Sequence, residues 1–216
     1  MESLSGKVAP DAVADEIKAA GGSATAAAID TTDDGAWGLL VDQITRDHGG
    51  VDLLVNNAGI VQPIDNAATT SNEDWARIVG VNQTGYFYGM RAVIPGMQER
   101  GGGAIVNVAS VAGLVGVLNV FTYAATKGAV IAMSKQAAIE YAGSKIRINV
   151  ICPGIIETPI LGDITPELKA YCESQTPLAR LGQPLDIGAM AVHLGRSESS
   201  FITGQVIAID GGWTAQ

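Results

Sequence analysis

The sequence reads Ser-Val-Ala-Gly-Leu-Val-Gly-Val-Leu-Asn-Val-Phe-Thr-Tyr-Ala-Ala-Thr-Lys from Ser110 to Lys127. This stretch predicts a hydroxyl at the end of a strand, a glycine-bearing loop and then the start of a helix. Tyr123 and Lys127 stand four residues apart, so they share one helix face. A free tyrosine has a pKa near ~10, and a neighbouring cation lowers it by stabilising the phenolate. The pattern indicates Tyr123 as a general acid/base tuned by Lys127, with Ser110 hydrogen-bonded to the same substrate oxygen.

The Tyr-x-x-x-Lys spacing also has an ordinary interpretation, in which the tyrosine ring packs and the lysine amine is solvated. Further motifs, in a fixed order, decide between the two. Upstream are Asp30, the run Asn56-Asn57-Ala58-Gly59, and Asn82 within Val-Asn-Gln-Thr-Gly. Downstream are Pro153-Gly154-Ile155-Ile156-Glu157-Thr158, Ile202-Thr203-Gly204-Gln205 and Asp210-Gly211-Gly212. With the Ser110–Lys127 stretch, these motifs resemble the short-chain dehydrogenase/reductase family from about Pro10 onward.

The resemblance implies a place for each motif in a cleft that binds NAD or NADP. Asp30 and Thr31 would border the adenine, and Asn57, Ala58 and Gly59 would line the cofactor beside its ribose. Pro153, Gly154, Ile156 and Thr158 would meet the nicotinamide carboxamide. Lys127, beside Tyr123, would bind ribose hydroxyls, and Asn82 would help to hold a water that links the lysine to solvent.

Three of these motifs have plainer interpretations. Asp30 is equally suited to be a helix-capping or turn carboxylate. The run from Asn56 to Gly59 could be a strand-to-loop turn, although paired amides are well suited to bracing neighbouring strands. A helical Asn82 is often solvated or bonded back to its own helix.

Composition narrows the classes of function. The 216 residues carry a net charge of -9 and no basic run, which disfavours nucleic-acid binding because that needs clustered Lys and Arg. No apolar run approaches membrane-spanning length, and the first residues lack the apolar segment of a signal peptide. The two cysteines and two histidines are isolated, so we expect no metal site and reduced thiols in a cytoplasmic protein.

Apolar strands alternate with helical patterns, which predicts an α/β fold: a Rossmann-like, doubly wound parallel sheet in a single domain over residues 1–216. The predicted strands are 24–29, 51–55, 104–108, 146–151 and 205–209, and residues 4–9 resemble the approach to a first strand. The predicted helices are 10–21, 32 or 33 to about 46 with an end near Gly49-Gly50, 73–100 with an interruption near Pro95, 123–142 and 184–193. Residues 155–180 are predicted to form a mobile lid over an aliphatic pocket shared with residues 111–121.

One hallmark of the family is absent. A Thr-Gly followed by further glycines should come after Lys7-Val8-Ala9, but Pro10 and a helical pattern follow instead. The gap corresponds to most of the first β-α-β unit, on the order of 30 residues. The missing segment would include the backbone N–H groups that bind pyrophosphate and the residue that selects NAD or NADP. The strand ending at Asp30 would then either pair directly with the strand ending at Val55 or leave an apolar edge open.

The residues and the resemblance together predict an NAD(P)-dependent oxidoreductase that interconverts an uncharged secondary alcohol and its ketone. A 3-oxoacyl-(acyl-carrier-protein) reductase is one alternative, which a basic docking patch beside the cleft would favour. A non-catalytic binding or assembly subunit is another, favoured by the missing glycine turn; the chain would then be a shortened product, unless it is excised from a longer enzyme. The resemblance also implies a homo-oligomer, a dimer or tetramer, formed through the Tyr123 helix and the long helix before it.

Overall fold

The computed structural model describes residues 10–62, 65–162 and 164–216, and its centre is a parallel sheet of four strands. The strands are β1 (Leu53–Asn56), β2 (Gly103–Val108), β3 (Ile146–Pro153) and β4 (Val206–Ile209), in the order β1-β2-β3-β4. Nearly every residue of β2 and β3 is buried, as expected of parallel strands covered on both faces. The predicted α/β fold with a parallel sheet is confirmed.

The described part of the chain contains seven α-helices. They are α1 (Pro10–Ala19), α2 (Asp34–His48), α3 (Asn72–Val79), α4 (Gly85–Glu99), α5 (Phe121–Tyr141), α6 (Pro166–Ser174) and α7 (Pro184–Gly195). Met90 and Met97 of α4 pack with Ala138 of α5 against Ile148 of β3. Leu194 of α7 packs with Ile151 of β3 in a separate cluster. The sheet therefore lies between α4 and α5 on one face and α7 on the other, the doubly wound arrangement predicted.

The bounds of α2 follow from its capping residues. Asp33 accepts a hydrogen bond from the Gly35 N–H at 2.8 Å, which satisfies one of the free donors at the start of the helix. Gly49 ends the helix with φ of 84°, a left-handed conformation that glycine adopts without steric cost. Both ends agree with the prediction.

The predicted strand over residues 24–29 is wrong. These residues have no regular structure between α1 and α2, because no neighbouring strand supplies the hydrogen bonds that a strand needs. Among the described residues, β1 pairs only with β2, so its other edge is open. Val55 on this strand is 40% exposed. Of the two outcomes expected, the sheet shows the open apolar edge; the predicted approach at residues 4–9 lies outside the described residues.

The predicted break near Pro95 is also wrong. Pro95 lies inside α4, and the interruption of the long helix comes earlier, where Gly80–Thr84 winds as a π-helix between α3 and α4. A π-turn holds one more residue than an α-turn and is common at functional sites. Asn82 lies in this segment and is fully buried.

Candidate active site

A cleft of about 880 Å³ opens at the carboxyl ends of the parallel strands, where α/β sheets bind ligands. Asn57 directly follows β1, Ser110 comes two residues after β2, and Pro153 is the last residue of β3. Of the predicted site residues, this cleft is lined by Asn57, Ala58, Gly59, Ser110, Tyr123, Lys127, Pro153, Gly154, Ile156 and Thr158. The fold therefore gathers ten residues from four separate segments into one site.

Ser110, Tyr123 and Lys127 meet because of two local structures. Ser110 caps the short 3-10 turn Val111–Gly113, and its Oγ accepts a hydrogen bond from the Ala112 N–H at 3.1 Å. α5 begins at Phe121, so Tyr123 lies in its first turn and Lys127 one turn later on the same face. Lys127 Nζ lies 5.5 Å from the centroid of the Tyr123 ring.

The Lys127 side chain is buried, with 3% exposure. Its ammonium donates hydrogen bonds to the Val108 carbonyl at 2.8 Å and to the Tyr86 hydroxyl at 3.2 Å. Burial lowers the pKa of Lys127 to about 8, because a charged amine is poorly solvated there. The lysine is thus still mainly cationic at neutral pH, but close to losing its proton.

Tyr123 departs from the expected pKa shift. Burial raises its pKa above the ordinary value, and the opposing hydrogen bond with Ser110 is the weaker effect. The ammonium of Lys127 is hydrogen-bonded to Val108 and Tyr86, and among the described residues it makes no hydrogen bond to the Tyr123 hydroxyl. In this structure the phenol is therefore a protonated acid at neutral pH.

Asn82 supports the loop after β1. Its Oδ1 accepts a hydrogen bond from the Ile60 N–H and its Nδ2 donates to the Ile60 carbonyl, both at 2.8 Å. A Cβ placed on Gly59 would lie 3.7 Å from Asn82 Oδ1 and 3.6 Å from Lys127 Nζ. Asn82 and Lys127 thus both lie near Gly59, although Asn82 does not line the cleft; the link of Asn82 to a water stays a prediction.

Asn56 braces the sheet, as a paired amide was expected to do. Its Nδ2 donates to Asn107 Oδ1 of β2 at 2.9 Å, and Asn107 Nδ2 donates to Ser134 Oγ of α5 at 2.8 Å. All three side chains are buried. This chain of hydrogen bonds joins β1, β2 and α5 beneath the cleft.

Asp30 and Thr31 do not lie among the residues that line the cleft. Asp30 Oδ1 accepts hydrogen bonds from the Thr32 N–H at 2.8 Å and the Thr32 hydroxyl at 2.7 Å. The Thr31 carbonyl accepts one from Trp37 Nε1 at 3.1 Å. Asp30 thus forms a turn with Thr32 rather than ending a strand, and its place beside the adenine stays a prediction.

The segment predicted as a lid contributes only its first part to the cleft, residues 155, 156 and 158–161, whereas α6 does not line it. Ile156 forms an isolated parallel bridge with Gly182, and Gly182 N donates to the Ile155 carbonyl at 2.9 Å. Gly154 is required at the turn, because a Cβ there would lie 2.8 Å from the Asp210 Cα. The mobility of this segment stays a prediction.

The sequence interpretation missed one wall of the cleft. It consists of Pro184, Ile187, Gly188 and Ala191 of α7, together with Trp213. The signal was present, since Ile187 and Ala191 are four residues apart on one helix face. Asp210 places Trp213 by accepting hydrogen bonds from the Gly212 and Thr214 N–H groups, both at 2.9 Å.

The polar groups of the cleft fit one end of a nicotinamide dinucleotide. Asn57, Tyr123 and Lys127 offer hydrogen-bonding groups beside the small residue Gly59, which suits a ribose and a carboxamide. Lys127 is the single Lys or Arg among the described lining residues, and its ammonium already has two partners. The described cleft therefore fits the nicotinamide riboside end better than the pyrophosphate, which needs cations or a free helix N-terminus.

The described residues also bear on membrane spans and metal sites. No described helix is both long and apolar enough to cross a membrane. Residues 10–62, 65–162 and 164–216 contain no group of three His, Cys, Asp or Glu side chains placed to hold a metal ion.

Residues 5–214 match the sequence model of a family described as enoyl-(acyl carrier protein) reductase. The chain is 39% identical over 199 residues to 2,5-dichloro-2,5-cyclohexadiene-1,4-diol dehydrogenase LinX from Sphingobium indicum, with 92% of this chain and 79% of the relative covered. It is 42% identical over 201 residues to inactive 2-(S)-hydroxypropyl-CoM dehydrogenase 2 from Xanthobacter autotrophicus, covering 90% and 87%. It is 40% identical over 173 residues to 3-oxoacyl-[acyl-carrier-protein] reductase FabG from Thermotoga maritima, covering 80% and 70%.

Two solved structures are similar throughout. A short-chain type dehydrogenase/reductase from Mycobacterium marinum superposes with a TM-score of 0.90 at 34% identity, covering 96% of this chain and 84% of that one. Gluconate 5-dehydrogenase from Burkholderia cenocepacia, in complex with NADP and tartrate, gives a TM-score of 0.89 at 30% identity, covering 94% and 80%.

Proposed function

The chain belongs to the short-chain dehydrogenase/reductase family, and from this premise we propose that Ser110, Tyr123 and Lys127 carry its reaction. The protein is an NAD(P)-dependent oxidoreductase that interconverts a secondary alcohol and a ketone. The observation that carries the assignment of residues is their convergence at one end of the 880 Å³ cleft, with the lysine ammonium 5.5 Å from the tyrosine ring centroid. Asn82 supports this group through Ile60.

In the reducing direction, the Ser110 hydroxyl donates a hydrogen bond to the carbonyl oxygen of the substrate and polarises it. A nicotinamide cofactor, when bound, would supply the hydride to the carbonyl carbon. Tyr123 donates its proton to the same oxygen, and its raised pKa keeps that proton in place until then. Lys127 stabilises the phenolate left behind, because its ammonium is buried beside the tyrosine ring, where water screens its charge weakly.

The substrate class follows from the walls of the cleft. Val117, Val120, Ile160, Leu161 and Trp213 surround the space beyond Tyr123, and these side chains match apolar rather than charged groups. We propose an uncharged alicyclic secondary alcohol or its ketone. The name of the LinX relative, a dehydrogenase of a cyclohexadiene diol, supports this choice.

Reduction of a carrier-bound 3-oxoacyl group is the second candidate, supported by the family description and the similarity to FabG. An acidic carrier protein would need free cations beside the cleft. Lys169 pairs with Glu157 at 2.9 Å, and Arg180 pairs with Asp186 at 2.7 Å. Because carboxylates already neutralise these two cations, the alicyclic alcohol is preferred.

A non-catalytic role is the third candidate. The relative from Xanthobacter is named as inactive, and the glycine turn expected after Ala9 is missing from this sequence. The grouping of Ser110, Tyr123 and Lys127 in an open cleft argues for catalysis, since a binding subunit does not need an acid/base group beside a cleft.

The remaining properties are proposals of the same kind. We propose a single domain and a homo-oligomer, a dimer or tetramer, formed through α4 and α5. The exposed apolar residues Phe87 of α4 and Ile139 of α5, which are 45% and 78% exposed, support the oligomer. A cytoplasmic location is supported by the two free, buried cysteines, Cys152 and Cys172.

Turnover of cyclic ketones with NADH and NADPH, compared between the wild-type protein and Tyr123→Phe, tests the proposed function. The variant keeps the ring but has no proton to give, so we expect the rate to fall about 10²–10⁴-fold. Tyr171→Phe is the matched control, since Tyr171 is exposed on α6 and does not line the cleft. Equal turnover in Tyr123→Phe and Tyr171→Phe would refute the role of Tyr123. Nicotinamide binding without turnover in the wild-type protein would favour the non-catalytic candidate.

A further inference from the structure

A second tyrosine, Tyr86, contacts Lys127 from within the protein core. It lies in the first turn of α4 and its side chain is 1% exposed. Its hydroxyl donates a hydrogen bond to the Val108 carbonyl at 2.9 Å and accepts one from Lys127 Nζ at 3.2 Å. Lys127 Nζ donates to the same Val108 carbonyl at 2.8 Å. Phenol, ammonium and carbonyl thus form a closed triangle at the carboxyl end of β2.

The cation is closer to this buried ring than to the ring that faces the cleft. Lys127 Nζ lies 4.9 Å from the centroid of the Tyr86 ring and 5.5 Å from that of Tyr123. Both distances are within the range of a favourable cation–π contact. Both tyrosine rings therefore contact the same ammonium.

The hydroxyl of Tyr86 is unnecessary for packing alone, because a phenylalanine ring would fill the same space. A buried hydroxyl is costly unless it has partners, and here both its partners belong to the site. The backbone of Tyr86 is held as well, since its carbonyl accepts a 3.4 Å hydrogen bond from Asn56 Nδ2. The phenol is thus fixed on a rigid part of the core.

We propose that Tyr86 is a positioning residue for the reaction: its hydroxyl holds the Lys127 ammonium against the end of β2 and keeps it charged within reach of Tyr123. This inference rests on the proposed function only in assigning Lys127 to the chemistry. A hydroxyl oxygen that accepts a hydrogen bond from an ammonium favours the protonated amine. Tyr86 thereby opposes the effect of burial on Lys127.

Two other titratable groups face Lys127, and Cys152 is one whose charge would also favour the ammonium. They are Tyr123 from α5 itself and Cys152 from β3. Burial raises the pKa of Cys152 to about 11, so the thiol is neutral at physiological pH. Tyr123 is also neutral there, because burial raises its pKa. No described carboxylate is hydrogen-bonded or paired with the ammonium, which makes the Tyr86 hydroxyl and the Val108 carbonyl its acceptors.

The test is Tyr86→Phe, with the protonation of Lys127 followed by NMR of ¹³C-labelled lysine in the protein without substrate. The Lys127 signal is identified by its loss in Lys127→Met. Removing the acceptor disfavours the charged amine, and we expect its pKa to fall by about one unit. In steady-state kinetics, kcat above neutral pH should fall about tenfold, while the KM for the ketone changes less than about twofold.

Tyr88→Phe is the matched control, because Tyr88 lies on the same helix and its hydroxyl has no hydrogen-bond partner among the described residues. Its Lys127 titration should equal that of the wild type. The inference is overturned if Lys127 titrates alike in Tyr86→Phe and Tyr88→Phe, even if the first variant melts at a lower temperature, since the hydroxyl would then serve stability alone. Absent turnover in the wild type would sink the proposed function, yet the NMR titration would still decide the role of Tyr86.

Discussion

Gly113, the last residue of the 3-10 turn after β2, lies directly against the backbone of α5. A Cβ at Gly113 would be 2.8 Å from the Lys127 carbonyl carbon, 2.9 Å from the Gly128 nitrogen and 3.0 Å from the Lys127 oxygen. These are backbone atoms of a packed helix, so no side-chain rotation relieves the contact. In Gly113→Ala the turn must move away from α5, and such overpacking costs about 1–3 kcal/mol.

Gly128 provides a control on the other side of the same contact. A Cβ there would approach only the Gly113 oxygen, at an ordinary distance of 3.9 Å. Gly128 lies in the interior of α5, where alanine is favoured over glycine by about 0.5–1 kcal/mol. The same glycine-to-alanine change should therefore destabilise the protein at Gly113 and stabilise it at Gly128.

Thermal and urea unfolding followed by circular dichroism measures both effects. For a chain of this size, 1 kcal/mol corresponds to about 2–4 °C in Tm. A cost of about 2 kcal/mol in Gly113→Ala lowers Tm by about 4–8 °C, whereas Gly128→Ala raises it by about 1–4 °C. Because the displaced contact adjoins Lys127, Gly113→Ala should also lose turnover at temperatures where it is folded. A Gly113→Ala protein as stable as the wild type would refute the close approach of turn and helix.

Two further predictions concern pH and cofactor size. Asp65 is buried and accepts hydrogen bonds from the Thr70 hydroxyl and, at 2.6 Å, from the Thr122 N–H at the start of α5. Burial alone would raise the pKa of Asp65, but these hydrogen bonds outweigh burial and hold the pKa below the ordinary value of an aspartate. A carboxyl whose pKa is lower in the folded than in the unfolded chain stabilises the fold at pH values above the unfolded-state pKa. This stabilisation is lost as the pH falls through the folded-state pKa. Above about pH 4, the free energy of unfolding of the wild type should thus be larger than that of Asp65→Asn, and below that pH the two values should converge. A difference between the two free energies that does not change with pH in urea titrations would contradict this. Lys127 is the single cation among the described residues that line the cleft, so the rest of the dinucleotide should add little affinity. In calorimetry, the dissociation constants of reduced nicotinamide mononucleotide and of NADH should therefore differ by less than about tenfold, or about 1.4 kcal/mol. A dissociation constant for NADH that is a thousandfold smaller would show that the pyrophosphate is held.

The sequence predicted correctly those parts of the fold that depend on residues close together in the chain. Asp33 and Gly49 bound α2 because a side-chain acceptor and a left-handed glycine act within one helical turn. The apolar runs of β2 and β3 need only burial on both faces, which the helical patterns around them supply. Ser110, Tyr123 and Lys127 met as predicted because their spacing within one strand–turn–helix unit fixes their directions.

The parts that could not be foretold depend on contacts between distant residues. Residues 24–29 are apolar, but a strand also needs a neighbour, and none is present among the described residues. The long helix is interrupted around Asn82 and not at Pro95, which was the local signal. The amide of Asn82 is hydrogen-bonded to Ile60, which lies 22 residues earlier in the chain. The pKa of Tyr123 is raised by its burial, which depends on how the whole chain packs around the cleft.

The π-helix Gly80–Thr84 sets the rotational phase between α3 and α4. Each residue of an α-helix advances its side chain by about 100°, so the extra residue of a π-turn rotates all that follows by about that angle. This offset lets Ile78 of α3 and Tyr86 and Met97 of α4 all be buried. Loss of one residue here would let a regular α-helix run from Asn72 to Glu99, but with Tyr86 turned away from Lys127. A one-residue deletion in this segment would therefore disconnect the site from its core while leaving the helix content nearly unchanged.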